Sequence, residues 1–188
     1  MRDIDIRSAL HKEIILPIAA EPNSLVIDEL GICQGDARID IAVINGKLHG
    51  FEIKSERDSL ARLPAQTELY NKVFNTVTLV ISDSHIEKAT KIVPEWWGLI
   101  RVSGPRKNVI LSEERDSQLN NEVDPYALIQ LLWREEALKA LENRGMDKGL
   151  RNKPRRHLWQ ALSDRLPLSS LTEIVRETLK TRKSWRVA

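Results

Sequence analysis

Residues 37–54, ARIDIAVINGKLHGFEIK, constrain what this chain can fold into more than any other stretch. Ile39, Ile41 and Val43 alternate with Asp40, Ala42 and Ile44. Beyond Asn45-Gly46, Phe51 and Ile53 alternate with Gly50, Glu52 and Lys54. Period-two alternation marks a half-buried strand, and Asn-Gly is a strong hairpin signal. The loop length then decides which side chains share a face, because a one-residue slip moves a whole strand's side chains to the other side. A two-residue loop pairs Ile44 with Lys47 and turns Asp40 away from Glu52. A three-residue loop with Gly46 left-handed puts Asp40, Ala42, Gly50, Glu52 and Lys54 on one face and Ile39, Ile41, Val43, Phe51 and Ile53 on the other. Only the second register separates a wholly apolar face from a small and charged one, so the sequence predicts the odd loop.

The flanking chain reads as an α/β protein. A helix is expected over residues 3–20, with Ile6, Leu10 and Ile14 on one side and Pro17 kinking or ending it. Strands are expected at 25–32, 77–82, 98–102 and 108–111. Helices are expected at 64–75 and 85–92. Residues 112–123 are polar and read as a linker. Asp124-Pro125 then reads as an N-cap and first helical residue, opening a helix that runs to Gly145. A second C-terminal helix carries Leu158, Leu162 and Leu166. A third begins at a Ser170/Glu173 capping box. Of the tryptophans, the adjacent pair Trp96-Trp97 is expected to split between core and rim, and Trp133, Trp159 and Trp185 to pack these last helices.

The chemistry lies in the hairpin. Two carboxylates on adjacent strands supply hard oxygen ligands a few ångströms apart, which suits Mg²⁺ or Mn²⁺. Magnesium keeps several waters, one of which can attack a phosphodiester. A lysine two residues from a carboxylate on one strand projects from the same face. Its charge can activate the water or balance charge on the phosphorane.

The set Asp40, hairpin, Glu52-Ile53-Lys54 resembles the PD-(D/E)XK nuclease superfamily, in a helix–strand–strand–strand–helix–strand order. In the next helix Gln66 and Tyr70 match the Gln-x-x-x-Tyr motif of its RecB-type members, and positions four apart share a helix face. The proline of the superfamily name is absent, Ile39 standing before Asp40. The likeness covers residues 1–103 and is greatest to small bacterial and phage members with a helical C-terminal extension. It implies a restriction-endonuclease-like mixed central sheet flanked by helices, with a nuclease-like core at 1–112 and a basic helical region at 122–188. It also implies metal ligation by Asp40, Glu52 and the Ile53 carbonyl, catalysis by Lys54, and substrate positioning or ligand support by Gln66 and Tyr70. Many members add a glutamate from the first helix, for which Glu13 is the candidate and Glu29 on the first strand its rival. Arg62 is a candidate phosphate contact. His49 is near enough to the hairpin to touch the site.

Charge adds a partner. Residues 144–188 hold 12 Lys/Arg against 4 Asp/Glu, while the whole chain carries only +2. Clustered basic charge points to a polyanion. Cys33 is the sole cysteine, which excludes an internal disulfide framework and fits a reducing compartment. No zinc-ligand spacing, secretory signal or bilayer-length apolar run is present, so a cytoplasmic protein without membrane contact is expected. The expected activity is Mg- or Mn-dependent hydrolysis of DNA, with a homodimer or a nicking monomer where the substrate is duplex. The competing expectation is a nucleic-acid-binding module that does not cut.

Overall fold

The central hairpin adopts the odd register in a computed structural model that describes residues 1–183. Ile44 pairs with Leu48 and Asn45-Gly46-Lys47 forms a three-residue loop. Gly46 is not left-handed, contrary to expectation. Asn45 closes the turn instead. Its N–H donates to the Lys47 carbonyl at 3.2 Å and its Oδ1 accepts from the Lys47 N–H at 3.4 Å. Loop length alone sets the parity.

Among the described residues six strands form one mixed sheet in sequence order: β1 (Leu25–Ile32), β2 (Ala37–Ile44), β3 (Leu48–Lys54), β4 (Thr76–Ser82), β5 (Gly98–Ser103) and β6 (Ile110–Arg115). The first three run antiparallel, β3, β4 and β5 run parallel, and β6 returns antiparallel. β3 and β4 are joined through α3 (Leu63–Val73), as a parallel pair requires a crossover. Both faces are covered, so the middle strands are apolar on both sides rather than half-polar.

One face packs on the N-terminal helix. There Ile41, Val43, Phe51, Ile53, Val80, Ile100 and Val102 meet Ile6, Leu10 and Ile15. That helix is α1 (Asp3–Leu10), a π turn (His11–Ile15) and α2 (Leu16–Ala19). Pro17 does not end it. The wider π turn just before Pro17 loosens the register in which its ring would strike the carbonyl four residues back. The other face carries Ala42, Ile44, Leu48, Val77, Leu79, Ile81 and Leu99. It packs on α3, α4 (Ile86–Ala89) and the C-terminal helices α5 (Pro125–Ile129), α6 (Arg134–Glu142), α7 (Arg155–Arg165) and α8 (Leu168–Thr181) in one continuous apolar cluster.

Several local expectations change. Asp124 caps α5 as expected, accepting the Ala127 N–H at 2.7 Å. The helix expected to run on to Gly145 breaks after Ile129, and α6 restarts where Glu136 accepts the Trp133 N–H at 2.7 Å. Pro167 opens α8, so Ser170 lies inside the helix and forms no capping box. Residues 112–115 belong to β6. The rest of the expected linker is tied down, since the Asn120 side chain donates to the Asn71 and Phe74 carbonyls at 2.6 and 3.0 Å. Trp97 is fully buried with its indole N–H on Asn71 at 2.9 Å, and Trp96 forms the rim. Trp159 is buried with its N–H on the Leu132 carbonyl, Trp133 lies under Arg182, and Trp185 falls outside the described residues. No helix among the described residues is long and apolar enough to cross a membrane.

Candidate active site

Strict alternation fails at one rung of the sheet. In β1, Ile27 and Leu30 both face the C-terminal helices, and in β2 so do Ile39 and Ala42. Three-residue steps in both strands mean that each skips a half-pleat between them. Glu29 takes a left-handed φ of 56° and faces Asp40 at that rung. Ile39 therefore lies on the face opposite to the one expected, against Gly50. A Cβ on Gly50 would meet Ile39 at 3.2 Å and Phe74 at 3.3 Å, so glycine is what lets Ile39 cross.

Asp40 sits at this break. The β2–β3 ladder ends at Ile41 and Phe51, and continuing it one rung sets Asp40 opposite Glu52. The Asp40 side chain does not stand beside Glu52 on the expected face. Its Oδ2 turns into the gap between the strands and accepts the Ile53 N–H at 2.7 Å, replacing the missing ladder partner. In an extended residue the N–H and C=O leave the same edge, so the Ile53 carbonyl points into that gap as well. Asp40 Oδ1 accepts from Arg7 at 2.7 Å.

Glu52 is buried on the helix-covered face with every oxygen engaged. Lys54 Nζ donates to its Oε1 at 2.5 Å and Gln66 Nε2 to the same oxygen at 2.8 Å. The Tyr70 hydroxyl is 2.7 Å from Oε2 and 2.7 Å from the Arg38 carbonyl, linking β3 to β2. Gln66 and Tyr70 are one turn apart on α3 and bond to each other at 3.1 Å. Lys54 is itself buried, and just beyond it Ser55 donates through N–H and Oγ to Asp58, closing the strand end. Asp40, Glu52, Lys54, Gln66 and Tyr70 thus converge through contacts from three elements.

Burial pushes the carboxyls of Asp40 and Glu52 above the usual range. For Asp40 the Ile53 N–H and Arg7 oppose this, and for Glu52 the Lys54 charge opposes it while Asp40 adds to it. Burial, then the Glu52 charge, pushes the Tyr70 hydroxyl far upward, so it stays a hydrogen-bond donor at any working pH. Two carboxylates and a carbonyl are hard donors of the kind Mg²⁺ takes while keeping several waters. Gln66 Oε1, beside Glu52, is buried without a hydrogen-bond partner, an acceptor suited to a water's proton. No group of three or more His, Cys, Asp or Glu able to hold an ion occurs among the described residues, so water would complete the shell. With that share of water, the donors fit Mg²⁺ or Mn²⁺.

Other candidates fall elsewhere. Arg62 is exposed at the start of α3. Glu13 lines a cavity of about 630 Å³ on the opposite face with His49, Phe51, Thr78, Glu113 and Asp116, so it does not join Asp40 and Glu52. The π turn rotates it there. His49 is held in that same wall, its ring nitrogens 2.9 Å from Thr76 and Thr78. Glu29 reaches Asp40 only through Arg7, at 3.0 Å from its guanidinium. The first-helix acid near the site is Asp3, whose carboxyl burial raises, with Asp40 contributing. Neither Asp3 nor Arg7 is distinguishable in sequence from an ordinary helix-surface charge. The basic region reaches this end of the sheet, where Arg155 at the start of α7 donates to Gln34 in the β1–β2 turn at 3.2 Å.

A family model described as Bacteriophage P4 protein cII matches residues 6–186. Protein cII of Enterobacteria phage P4 is 25% identical over 160 residues, covering 85% of this chain and 60% of that protein. The chain therefore spans less than two thirds of this relative's length. Among solved structures, the SPO1766 protein of unknown function from Silicibacter pomeroyi is 17% identical over 70% of this chain and 86% of its own, with a TM-score of 0.39.

Proposed function

The chain belongs to the bacteriophage P4 protein cII family, and we propose that it is a metal-dependent deoxyribonuclease of the PD-(D/E)XK kind, hydrolysing phosphodiester bonds in DNA. The observation that carries this reading is the convergence on Glu52 of Lys54, Gln66 and Tyr70 next to Asp40 and the Ile53 edge. Asp40, Glu52 and the Ile53 carbonyl would hold Mg²⁺ or Mn²⁺. That ion, when bound, supplies Lewis-acid polarisation of the phosphate and charge neutralisation.

The chain's own groups do the rest. Gln66 and Tyr70 each fix one Glu52 oxygen, so both support the ligand. Tyr70 is too deeply buried to meet substrate itself. Lys54 presents a fixed positive charge to the negative charge that builds on phosphorus as water attacks. The water oxygen forms the new bond to phosphorus, one ester P–O bond breaks, the water proton passes to solvent, and the leaving oxygen takes up a proton. Arg62 and the basic region around Arg155 bind backbone phosphates, giving salt-dependent affinity with little sequence preference. Buried, unbridged Cys33 is in keeping with a cytoplasmic setting.

The test is incubation with Mg²⁺, Mn²⁺ or EDTA and single-stranded, duplex and branched DNA. Wild type should cleave at least one form when metal is present, and Lys54→Ala and Asp40→Ala should cleave it far more slowly. Identical behaviour of all three proteins on every substrate would remove the hydrolytic reading. One observation favours a second reading, a binding module that does not cut. The Asp40 and Glu52 oxygens all have protein partners already. That reading expects DNA binding unchanged by EDTA and by Glu52→Gln.

A further inference from the structure

The C-terminal region is rich in Lys and Arg, but the structure spends several of these charges inside the fold. Arg176 donates to the Asn45 carbonyl, Arg182 to Glu136 and Lys180 to Glu177. Others gather in residues 144–156, between α6 and the first turn of α7. There Arg144, Lys148, Arg151, Lys153, Arg155 and Arg156 stand against the single acid Asp147. The side chains of Lys148, Lys153 and Arg156 are exposed and make no ion pair or hydrogen bond among the described residues. The segment is nevertheless built rather than slack. Met146 and Leu150 pack on the main apolar cluster. Arg165 donates to the Met146 carbonyl at 2.9 Å, and Arg134 donates to the carbonyls of Arg151 and Lys153. Two further arginines are thereby drawn in among six cations. Holding like charges together costs free energy, which a polyanion laid across the loop offsets. Arg155 ties this loop to Gln34 in the β1–β2 turn at 3.2 Å, and that turn leads into Arg38 and Asp40. At the candidate site itself a phosphate meets less attraction, because Asp3, Asp28 and Glu29 stand with Asp40 around Arg7.

We propose that the 144–156 loop is a preformed platform for the phosphate backbone of DNA, and that affinity is supplied there rather than at the Asp40–Glu52 end. Lys148, Lys153 and Arg156 each neutralise one phosphate. The loop is fixed before DNA arrives, so little ordering is lost on binding. Contacts of this kind set the position of the duplex and do not read its bases. The inference takes DNA as the partner from the function proposed above, but it does not depend on cleavage.

The experiment follows binding of labelled duplex DNA by fluorescence anisotropy, in EDTA and over a series of salt concentrations. It compares wild type with the loop variant Lys148→Ala/Lys153→Ala/Arg156→Ala and with Lys88→Ala/Lys91→Ala/Lys107→Ala, which removes the same charge from exposed positions elsewhere. For wild type, log Kd should rise with log salt with a slope of at least about 2.7, from about 0.9 per neutralised phosphate. The loop variant should lose about that much slope and bind unrelated duplex sequences more weakly by the same factor. The control variant should keep the wild-type slope. Equal losses in the two variants, or a loop variant that binds like wild type, overturn the inference. A wild-type slope well below 2.7 overturns it without any variant, so the outcome does not depend on the variants folding. Metal-dependent cleavage by wild type beside a loop variant with unchanged DNA affinity would leave the nuclease reading standing and remove this one. Loss of binding in the loop variant alone, with no cleavage by wild type under any metal, would uphold the platform and remove hydrolysis. No DNA binding by any of the three proteins overturns both.

Discussion

Strand β3 passes two groups of titratable side chains, one near each end. At its C-terminal end Glu52 and Lys54 meet Asp40, Arg7, Gln66 and Tyr70. Near its N-terminal end, on the other face, Glu13, Glu113 and Asp116 ring a cavity floored by Phe51, Ile100 and Leu111. The second group opens onto a cavity of about 630 Å³ and brings three acids to its wall. It lacks convergence, because no Lys or Arg among the described residues lines the cavity. Its histidine is held neutral by burial, the ring pKa being pushed down to about 3. Glu113 is raised mainly by its hydrogen bond to Asp116, an acid–acid contact at an exposed place. At the first end each carboxylate oxygen is assigned to a donor from another part of the chain. The difference teaches that density of charge is a poor guide to a site, and that directed, buried partnerships are a better one.

The contrast can be broken most sharply by activity. Lys54→Ala should lower the cleavage rate roughly 10²–10³-fold, the usual cost of deleting one charge-stabilising donor. Glu13→Gln and Asp116→Asn should stay within about two-fold of wild type, because surface changes away from the site rarely matter. Equal losses at both ends, read from initial rates on one DNA substrate, would erase the distinction.

Stability gives the next largest separation. Lys54→Ala strands a buried carboxylate and should cost about 3–5 kcal/mol in urea unfolding. Replacing the pair together, Lys54→Met with Glu52→Gln, should recover most of that, since an intact buried pair is often no better than a neutral one. A double variant as unstable as the single one would show that Lys54 serves packing rather than charge.

The pH dependence should be smaller, and of opposite sign for stability and activity. Burial raises the Asp40 and Glu52 carboxyls. Between the ordinary carboxylate values near 4 and the raised ones, the folded protein keeps protons that the unfolded chain has released. Stability therefore falls as pH rises through that window. Metal ligation needs the deprotonated forms, so cleavage should climb over the same window. Glu52→Gln should flatten the stability trend when melting temperature is followed against pH. An unchanged slope in Glu52→Gln would place the titration elsewhere. Tyr70→Phe should have the least effect, about 1 kcal/mol for one hydrogen bond and a several-fold loss of rate. A rate loss as large as that of Lys54→Ala would put Tyr70 in the chemistry itself.

The parity of the hairpin was legible because only one loop length sorts its side chains by polarity. Gln66 and Tyr70 were legible only through the resemblance to the Gln-x-x-x-Tyr motif, and Asp124 from the proline after it. The half-pleat skip was not, because it depends on a left-handed Glu29, a backbone state that Glu does not advertise. Ile39 changed faces for that reason. Arg7 was hidden because its partners lie up to 33 residues away, beyond any helical periodicity. Glu13 was offered only by the resemblance, as the glutamate of the first helix, and it sits in a π turn that lines the other cavity.

The cluster shared by the sheet and the C-terminal helices has a consequence for synthesis. Ala42, Ile44, Leu79 and Leu99 are buried together with Leu128, Leu141, Leu162, Val175 and Leu179, which lie in the last third of the chain. Arg176 closes the arrangement by donating to the Asn45 carbonyl in the hairpin loop at 2.9 Å. A ribosome thus finishes all the strands before the residues that cover half of them have emerged. Until then that apolar side of the sheet is covered only by α3 and α4, and the rest of it is open to water and to other nascent chains. A stop codon that removed only the basic tail helices would leave a protein with its candidate site formed and its sheet adhesive.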